Sequence, residues 1–266
     1  KKRGIREEAV RTFRLGFSLD NWRHLHDYLS RKKALLKIAE QAGLLIAKDG
    51  GGFYDRFRGR LIFPIEDASG RIIAFGGRII AEGEPKYINS PESPVYVKGR
   101  NLYGLFRTRE DIRKAGYAIL VEGYFDLIAL WNAGVRNVIA SLGTALTKDQ
   151  VDLIRRHTGQ VAAIFDPDEA GKKALARSLE LFLAGNVKAK AVILPDGYDP
   201  DDYIRKFGKE SFDVLIKNSG SMVDYYIDNI IGYERGLERD REILRDAVSF
   251  IVNINDQKER GLFIKR

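Results

Sequence analysis

The chain has no cysteine, one methionine and three histidines in 266 residues. Without cysteine there is no disulfide framework and no thiolate zinc site. His24, His26 and His157 are too few and too scattered for a histidine metal cage. No apolar run approaches the ~20 residues that span a bilayer, and no signal-peptide pattern stands at the front. Gly171-Lys172 lacks the earlier glycine of a phosphate-binding P-loop, and no G-x-G-x-x-G fingerprint occurs, which excludes a P-loop motor and disfavours a dinucleotide-binding dehydrogenase. Repeats and low-complexity tracts are also missing. What is present is 44% hydrophobic residues, enough for a packed core, so a disordered linker is excluded. The chain starts Lys1-Lys2-Arg3 rather than with Met, and is expected to be a piece of a larger cytoplasmic protein.

Charge is unevenly spread. Residues 1–117 carry 24 basic and 14 acidic side chains, a net of +10, whereas residues 118–266 carry 21 and 23, a net of −2. A basic stretch followed by an acidic one suits a polyanion on the first and metal ions on the second.

The periodicities divide at about the same place. In the first part, Leu25–Leu29, Leu35–Leu44 and Tyr103–Ala115 carry helical spacing. Leu61–Ile65 and Arg71–Phe75 read as strands joined by a hairpin turn at Asp67-Ala68-Ser69-Gly70, with Pro64 marking an edge or bulge. The stretch 85–100 reads as irregular. From Ala118, four apolar runs (Ala118–Val121, Val138–Ala140, Val161–Phe165, Ala189–Leu194) alternate with helical segments. That alternation predicts a parallel sheet with helices on both faces. After Phe207 helices follow at Ser211–Lys217, Val223–Ile231 and Arg239–Val252. The expected fold is α/β, with an α+β basic subdomain over 1–117, a parallel-sheet subdomain over 118–208 and a helical segment over 209–266. Trp22 and Trp131 are expected in the core.

Acids gather where such a sheet binds ligands, outside the carboxyl ends of its strands. Glu122 follows the first run, with Asp126 four residues on; Asp166 and Asp168 follow the third; Asp199, Asp201 and Asp202 follow the fourth. Any one of them could be a helix cap or turn former. Three acidic clusters at one end of three strands point instead to hard divalent cations, which take oxygen ligands and offset the repulsion.

The runs VEGYFD, SLGTALT, FDPDEAG and LPDGYDPDD resemble the Toprim domain shared by bacterial primases, topoisomerases and some nucleases. The preceding YDRFRGRLIFPI, IAFGGR, PKYINSPES and VKGRNLYGL are similar to the catalytic core of bacterial DnaG-type primases. The resemblance implies Glu122 as the acid serving the reaction centre and Asp166, Asp168, Asp199 and Asp201 as holders of two or more Mg²⁺ or Mn²⁺ ions, with catalytic roles for Glu122, Asp166 and Asp168. It also implies that Asp126 takes a family position in the same loop, and that Gly123 and Tyr124 shape the turn. It implies single-stranded DNA template, ribonucleoside triphosphates and an RNA/DNA product duplex as partners, no membrane, and a site at the replication fork in the cytoplasm. The zinc-binding and helicase-binding modules of the family do not match here, so no zinc is expected in this stretch, and the replicative helicase and single-strand-binding protein are partners of a full-length protein.

The basic half supplies candidates for template and nucleotide contacts. Arg56, Arg58 and Arg60 alternate and point one way if they lie on a strand. Arg78 follows Gly76-Gly77, where backbone can approach a ligand closely. Lys86, Tyr87 and Asn89, then Lys98 and Arg100, interleave charge with stacking and hydrogen-bonding groups, as single-strand binding requires. The preferred set is Arg56, Arg60, Arg78, Lys86, Lys98 and Arg100, followed by Tyr87 and Asn89. Primer synthesis by metal-assisted nucleotidyl transfer is the expected function. The rivals are another Toprim enzyme, a nuclease or topoisomerase, and a noncatalytic DNA-binding module with a structural metal.

Overall fold

A computed structural model of the chain describes residues 4–143, 145–165, 168–226 and 228. It divides into two units, Lys1–Arg107 and Thr108–Arg266. In the first, α1 (Glu7–Thr12) leads to β1 (Gly16–Ser18), and α2 (His24–Arg31) and α3 (Leu36–Gln41) precede a strand pair, β2 (Leu45–Ala47) with β3 (Phe53–Asp55). Buried Asp55 ties the pair to α2: its carboxylate accepts the N–H groups of Leu25 at 2.7 Å and His26 at 2.9 Å, donors that the first turn of a helix leaves unsatisfied.

β4 (Arg60–Glu66), β5 (Ile72–Ile79) and β6 (Tyr87–Asn89) join β1 in a four-stranded antiparallel sheet ordered β1-β4-β5-β6. The hairpin turn between β4 and β5 is where its residues predict it. Asp67 Oδ1 accepts the Ser69 N–H at 2.8 Å, and Gly70 holds a left-handed φ of 83°. A Cβ there would meet the Phe106 ring at 2.4 Å. β1 pairs only with Arg60–Ile62, so Pro64 lies where β4 has a single strand neighbour and its missing N–H is tolerated. The irregularity in register falls one residue later, between Ile65 and Glu66. β6 corrects the irregular reading of 85–100: pairing with β5 makes a strand of three residues that have no pattern of their own. Arg107 fastens the start of α4 (Leu105–Ala115) to β4, its Nε donating to Glu66 Oε2 at 2.7 Å and a second nitrogen to the other carboxylate oxygen.

The second unit is a parallel sheet of β7 (Ala118–Val121), β8 (Val138–Ala140), β9 (Gln160–Phe165) and β10 (Lys188–Ile193), ordered β10-β9-β7-β8. All residues of β7 and β8 are buried, which is why these strands read as continuous apolar runs. Connecting helices α5 (Tyr124–Asn132), α6 (Lys148–Arg155) and α7 (Glu169–Ala184) alternate with the strands, and α8 (Pro200–Asn218) and α9 (Met222–Tyr226) follow. α8 is two helices joined at Gly208, whose φ is 78°. The expected helix Arg239–Val252 and the end of Val223–Ile231 lie outside the described residues.

The strand order positions the site. The chain leaves β7 toward β8 on one side, and leaves β9 toward β10 on the other. The connections therefore part between the C-terminal ends of β7 and β9, the switch point where open α/β sheets bind ligands.

Candidate active site

Glu122 is the first residue after β7 and is exposed at that switch point. The loop after β8 is pinned beside it: Ser141 N–H donates to Val121 O and Gly143 N–H to Glu122 O, both at 3.1 Å. Between these residues Leu142 is buried with a left-handed φ of 69°, an unfavourable conformation for a branched side chain that the two flanking bonds hold in place. A cavity of about 410 Å³ opens here, lined by Val121, Glu122, Ser141, Phe165, Lys173 and Arg177 among others. Lys173 and Arg177, one turn apart on α7, were not anticipated. They are exposed cations facing the same cavity as Glu122.

Asp168 and Asp199 are helix caps. Asp168 Oδ1 accepts the Gly171 N–H at the start of α7, and Asp199 Oδ1 the Asp202 N–H at the start of α8, each at 2.7 Å. Cap and ligand readings are therefore compatible: a carboxylate has about four acceptor sites, each cap uses one, and both residues are exposed. Asp166 lies outside the described residues. Among the described residues no group of three or more acidic or histidine side chains converges around one point.

Asp126, whose role the sequence left open, and Asp201, expected to hold an ion, both turn inward. Asp126 is turned back into the joint between the loop after β7 and α8. Its Oδ2 accepts the Gly123 N–H at 3.1 Å, and it also accepts the Asp201 N–H. A Cβ on Gly123 would stand 2.7 Å from Asp126 Oδ2 and push that carboxylate back. Burial first, then the charges of Asp199 and Asp201, push the Asp126 carboxyl up to about 7 against the pull of these two N–H groups. Asp201 is 1% exposed, and its carboxylate faces Arg205, with Nε at 2.9 Å from Oδ1. The exposed carboxylates of Glu122, Asp168 and Asp199 offer oxygen donors that fit a hard divalent cation, which would also lower the repulsion between Asp199 and Asp126.

The basic candidates separate into two groups. Arg60 is 7% exposed, and its guanidinium points at the carbonyls of Gly77 and Lys86, at 3.5 and 3.4 Å. Arg56 points at the Asn89 carbonyl from Nε at 3.3 Å and a terminal nitrogen at 3.2 Å. These two arginines tie β6 to the rest of the unit. The expectation of a one-sided Arg56/Arg58/Arg60 row fails because β3 ends at Asp55 and β4 starts at Arg60. Gly77 serves packing, since a Cβ there would meet Phe57 at 2.7 Å. Arg78 lies over the exposed Tyr87 ring at 5.3 Å, and Lys86 and Arg100 are exposed. Lys98 is half-buried in a short 3-10 turn, and burial lowers its pKa.

Trp22 corrects the core assignment: it is 62% exposed, whereas Trp131 is 6% exposed. The Arg58 guanidinium stacks 4.0 Å from the Trp22 ring centre and 5.4 Å from that of Tyr54. The signal was available, since Asp20-Asn21 and Arg23-His24 flank Trp22 with polar residues.

A basic antiparallel unit followed by a parallel sheet with acids at its switch point defines a Toprim-class enzyme core. Two family models match in that order: the N-terminal domain of the DNA primase catalytic core over residues 1–109, and a Toprim-like domain over residues 119–204. The chain is 38% identical to a DNA primase of Halalkalibacterium halodurans, over all of this chain and 49% of that protein. A DnaG primase catalytic domain solved bound to single-stranded DNA superposes with a TM-score of 0.90 at 33% identity, over 99% of this chain and 87% of that one. A primase domain from Pseudomonas aeruginosa gives 0.90 at 36% identity, over 100% and 85%. The chain belongs to the DnaG-type DNA primase family and spans about half the length of the curated relative it matches.

Proposed function

We propose that this chain is the RNA-polymerase core of a bacterial primase, joining ribonucleoside triphosphates on a single-stranded DNA template to make the primers of DNA replication. The observation that carries the reading is the placement of Glu122 and the Asp168 cap on either side of the β7/β9 switch point. The likeness to a DnaG domain bound to single-stranded DNA supports the template. We assign template handling to residues 1–117, metal and triphosphate binding to 118–208, and the remainder to a helical subdomain.

Glu122, Asp168 and Asp199, with Asp166 of the same loop as Asp168, would hold Mg²⁺ or Mn²⁺. Such ions, when bound, supply charge neutralisation at the transferring phosphate. Lys173 and Arg177 face the same cavity as Glu122 and are suited to phosphate oxygens. A primer 3′-hydroxyl is the attacking group, so the chain needs no nucleophile of its own, and positioning does most of the work. On the basic unit, Trp22 with Arg58 and Tyr87 with Arg78 offer stacking faces for bases, and Lys86, Lys98 and Arg100 offer cations for phosphates. Arg56 and Arg60 support this surface from within. A replicative helicase and single-strand-binding protein belong to the full-length protein, in the cytoplasm at the fork. No helix among the described residues is long and apolar enough to cross a membrane.

The test is labelled ribonucleotide incorporation on a single-stranded DNA template carrying an annealed RNA 3′ end. Extension should need Mg²⁺ or Mn²⁺, stop with chelator, and fall at least ~100-fold in Asp168→Ala and Asp166→Ala. DNA cleavage in place of extension would overturn the reading in favour of a Toprim nuclease.

A further inference from the structure

Of the three acids that open α8, Asp199 and Asp201 behave differently. Asp199 caps the helix and is exposed. Two residues on, Asp201 sits in the first turn with its side chain 2% exposed, while Arg205, one turn further, has a side chain 38% exposed. Ordinary i,i+4 ion pairs are exposed at both ends and contribute little. Here one partner is buried, and a buried carboxylate without a cation is strongly disfavoured. Arg205 Nε donates to Asp201 Oδ1 at 2.9 Å and lies 3.2 Å from the Asp201 carbonyl, and a terminal nitrogen of Arg205 bonds Asp202. One planar guanidinium thus engages three acceptors of the same helical turn, which a lysine ammonium cannot reproduce.

The links continue inward. The Asp201 N–H donates to Asp126, and Asp126 also accepts the Gly123 N–H from the turn that follows Glu122. Gly123, Asp126, Asp201 and Arg205 therefore form a continuous brace from the Glu122 turn to the Asp199 turn, along the contact of α5 with α8.

We infer that Arg205 is a positioning residue: by its fork on Asp201 it fixes the first turn of α8 and so aims Asp199, with Asp201 serving as the brace rather than as a ligand of the ion. The assignment rests on the proposed metal site, and nothing in it touches substrate. Without Arg205, the fork that joins the Asp201 carboxylate, the Asp201 carbonyl and Asp202 is lost, which loosens the turn that carries Asp199.

Mn²⁺ binding to the full chain, read by electron paramagnetic resonance without DNA or nucleotide, tests this. Arg205→Met should weaken Mn²⁺ binding on the order of tenfold, the usual effect of removing a partner that orients a metal-holding side chain. Arg205→Lys should regain little of it. The double variant Asp201→Asn with Arg205→Met should bind about as Asp201→Asn alone, because Arg205 acts through Asp201. Arg205→Lys, with fold checked by circular dichroism, carries the test if the methionine variant does not fold. The inference is overturned if Arg205→Met binds Mn²⁺ as tightly as the parent, if lysine restores binding fully, if the two single losses multiply, or if the parent binds no Mn²⁺. Failure of the primase reading is separate: it shows as a parent chain that binds Mn²⁺ but extends no primer.

Discussion

Both units bury charge and answer it mostly with backbone groups: the first buries charges of both signs and the second, among the described residues, acids. In the first, Arg60 is buried and Arg56 half-buried, both pointing at backbone carbonyls, and buried Asp55 accepts two backbone N–H groups. In the second, Asp126 and Asp201 lie inside and are met by backbone N–H groups and one arginine. Each set joins segments far apart in sequence: the arginines tie β6 to the strands around Arg60, and the acids tie the β7 turn to α8. The charges most open to a ligand are Lys86 and Arg100 in the first unit, with half-buried Arg58 and Arg78 lying over exposed rings, and Glu122, Asp168 and Asp199 in the second. Net charge by stretch therefore locates the kind of partner but overcounts the residues that touch it.

The largest effect that tests this division is expected inside the basic unit. Arg60→Met leaves the carbonyls of Gly77 and Lys86 without their charged donor, and should cost about 2 kcal/mol of unfolding free energy. The slope of log affinity for single-stranded DNA against log salt should stay unchanged, because no phosphate contact is lost. Arg58→Met loses a bond to the Asp55 carbonyl and stacking on Trp22; it should cost less stability, about 1 kcal/mol, and reduce the salt slope by about 1. Denaturant unfolding and a salt titration of DNA binding measure both. A slope that drops in Arg60→Met would place that guanidinium on the template and break the comparison.

How much of this was legible differs between the units for a physical reason. β7 to β10 are covered on both faces, so each is a continuous apolar run that needs no partner to be recognised, and the acids after them follow from the sheet rule. β6 has no such mark, being three residues made into a strand by pairing with β5. Gly76-Gly77 was legible as a close approach but not as an approach to Phe57, because the partner lies in another segment. The first half of α8 carried its own start signal, Asp199 as cap and Pro200 at the first helical position. Reading those acids as a metal loop hid the helix, and with it the inward turn of Asp201. Asp166 remains readable only in sequence.

A second, smaller effect separates stacking from charge on the exposed face. Trp22→Ala removes the ring under Arg58, and should weaken single-stranded DNA binding by about 1 to 2 kcal/mol, roughly five- to thirtyfold. The salt slope should be the parent's, which distinguishes it from Arg58→Met. Fluorescence anisotropy at several salt concentrations gives both numbers. Unchanged affinity in Trp22→Ala would remove this platform from the template surface and leave the Arg78–Tyr87 pair as its stacking element.

The smallest effect is expected on the acidic side and has the opposite sign. Asp126→Asn keeps an oxygen able to accept the Gly123 and Asp201 N–H groups, while removing a buried charge that Asp199 and Asp201 repel. The ion-free chain should gain about 1 kcal/mol of stability, since relief of a like-charge contact in a buried joint outweighs the weaker hydrogen bonds. Mn²⁺ affinity should fall, because the same excess negative charge attracts the ion. Burial and the charge of Arg58 likewise disfavour the Arg60 cation, but methionine leaves no donor for its carbonyls, whereas asparagine at 126 keeps an acceptor. Unfolding curves with chelator, beside Mn²⁺ titrations, separate the two outcomes: a destabilised ion-free Asp126→Asn chain would mean that the carboxylate holds the joint by hydrogen bonding alone and that its charge is not kept for a cation.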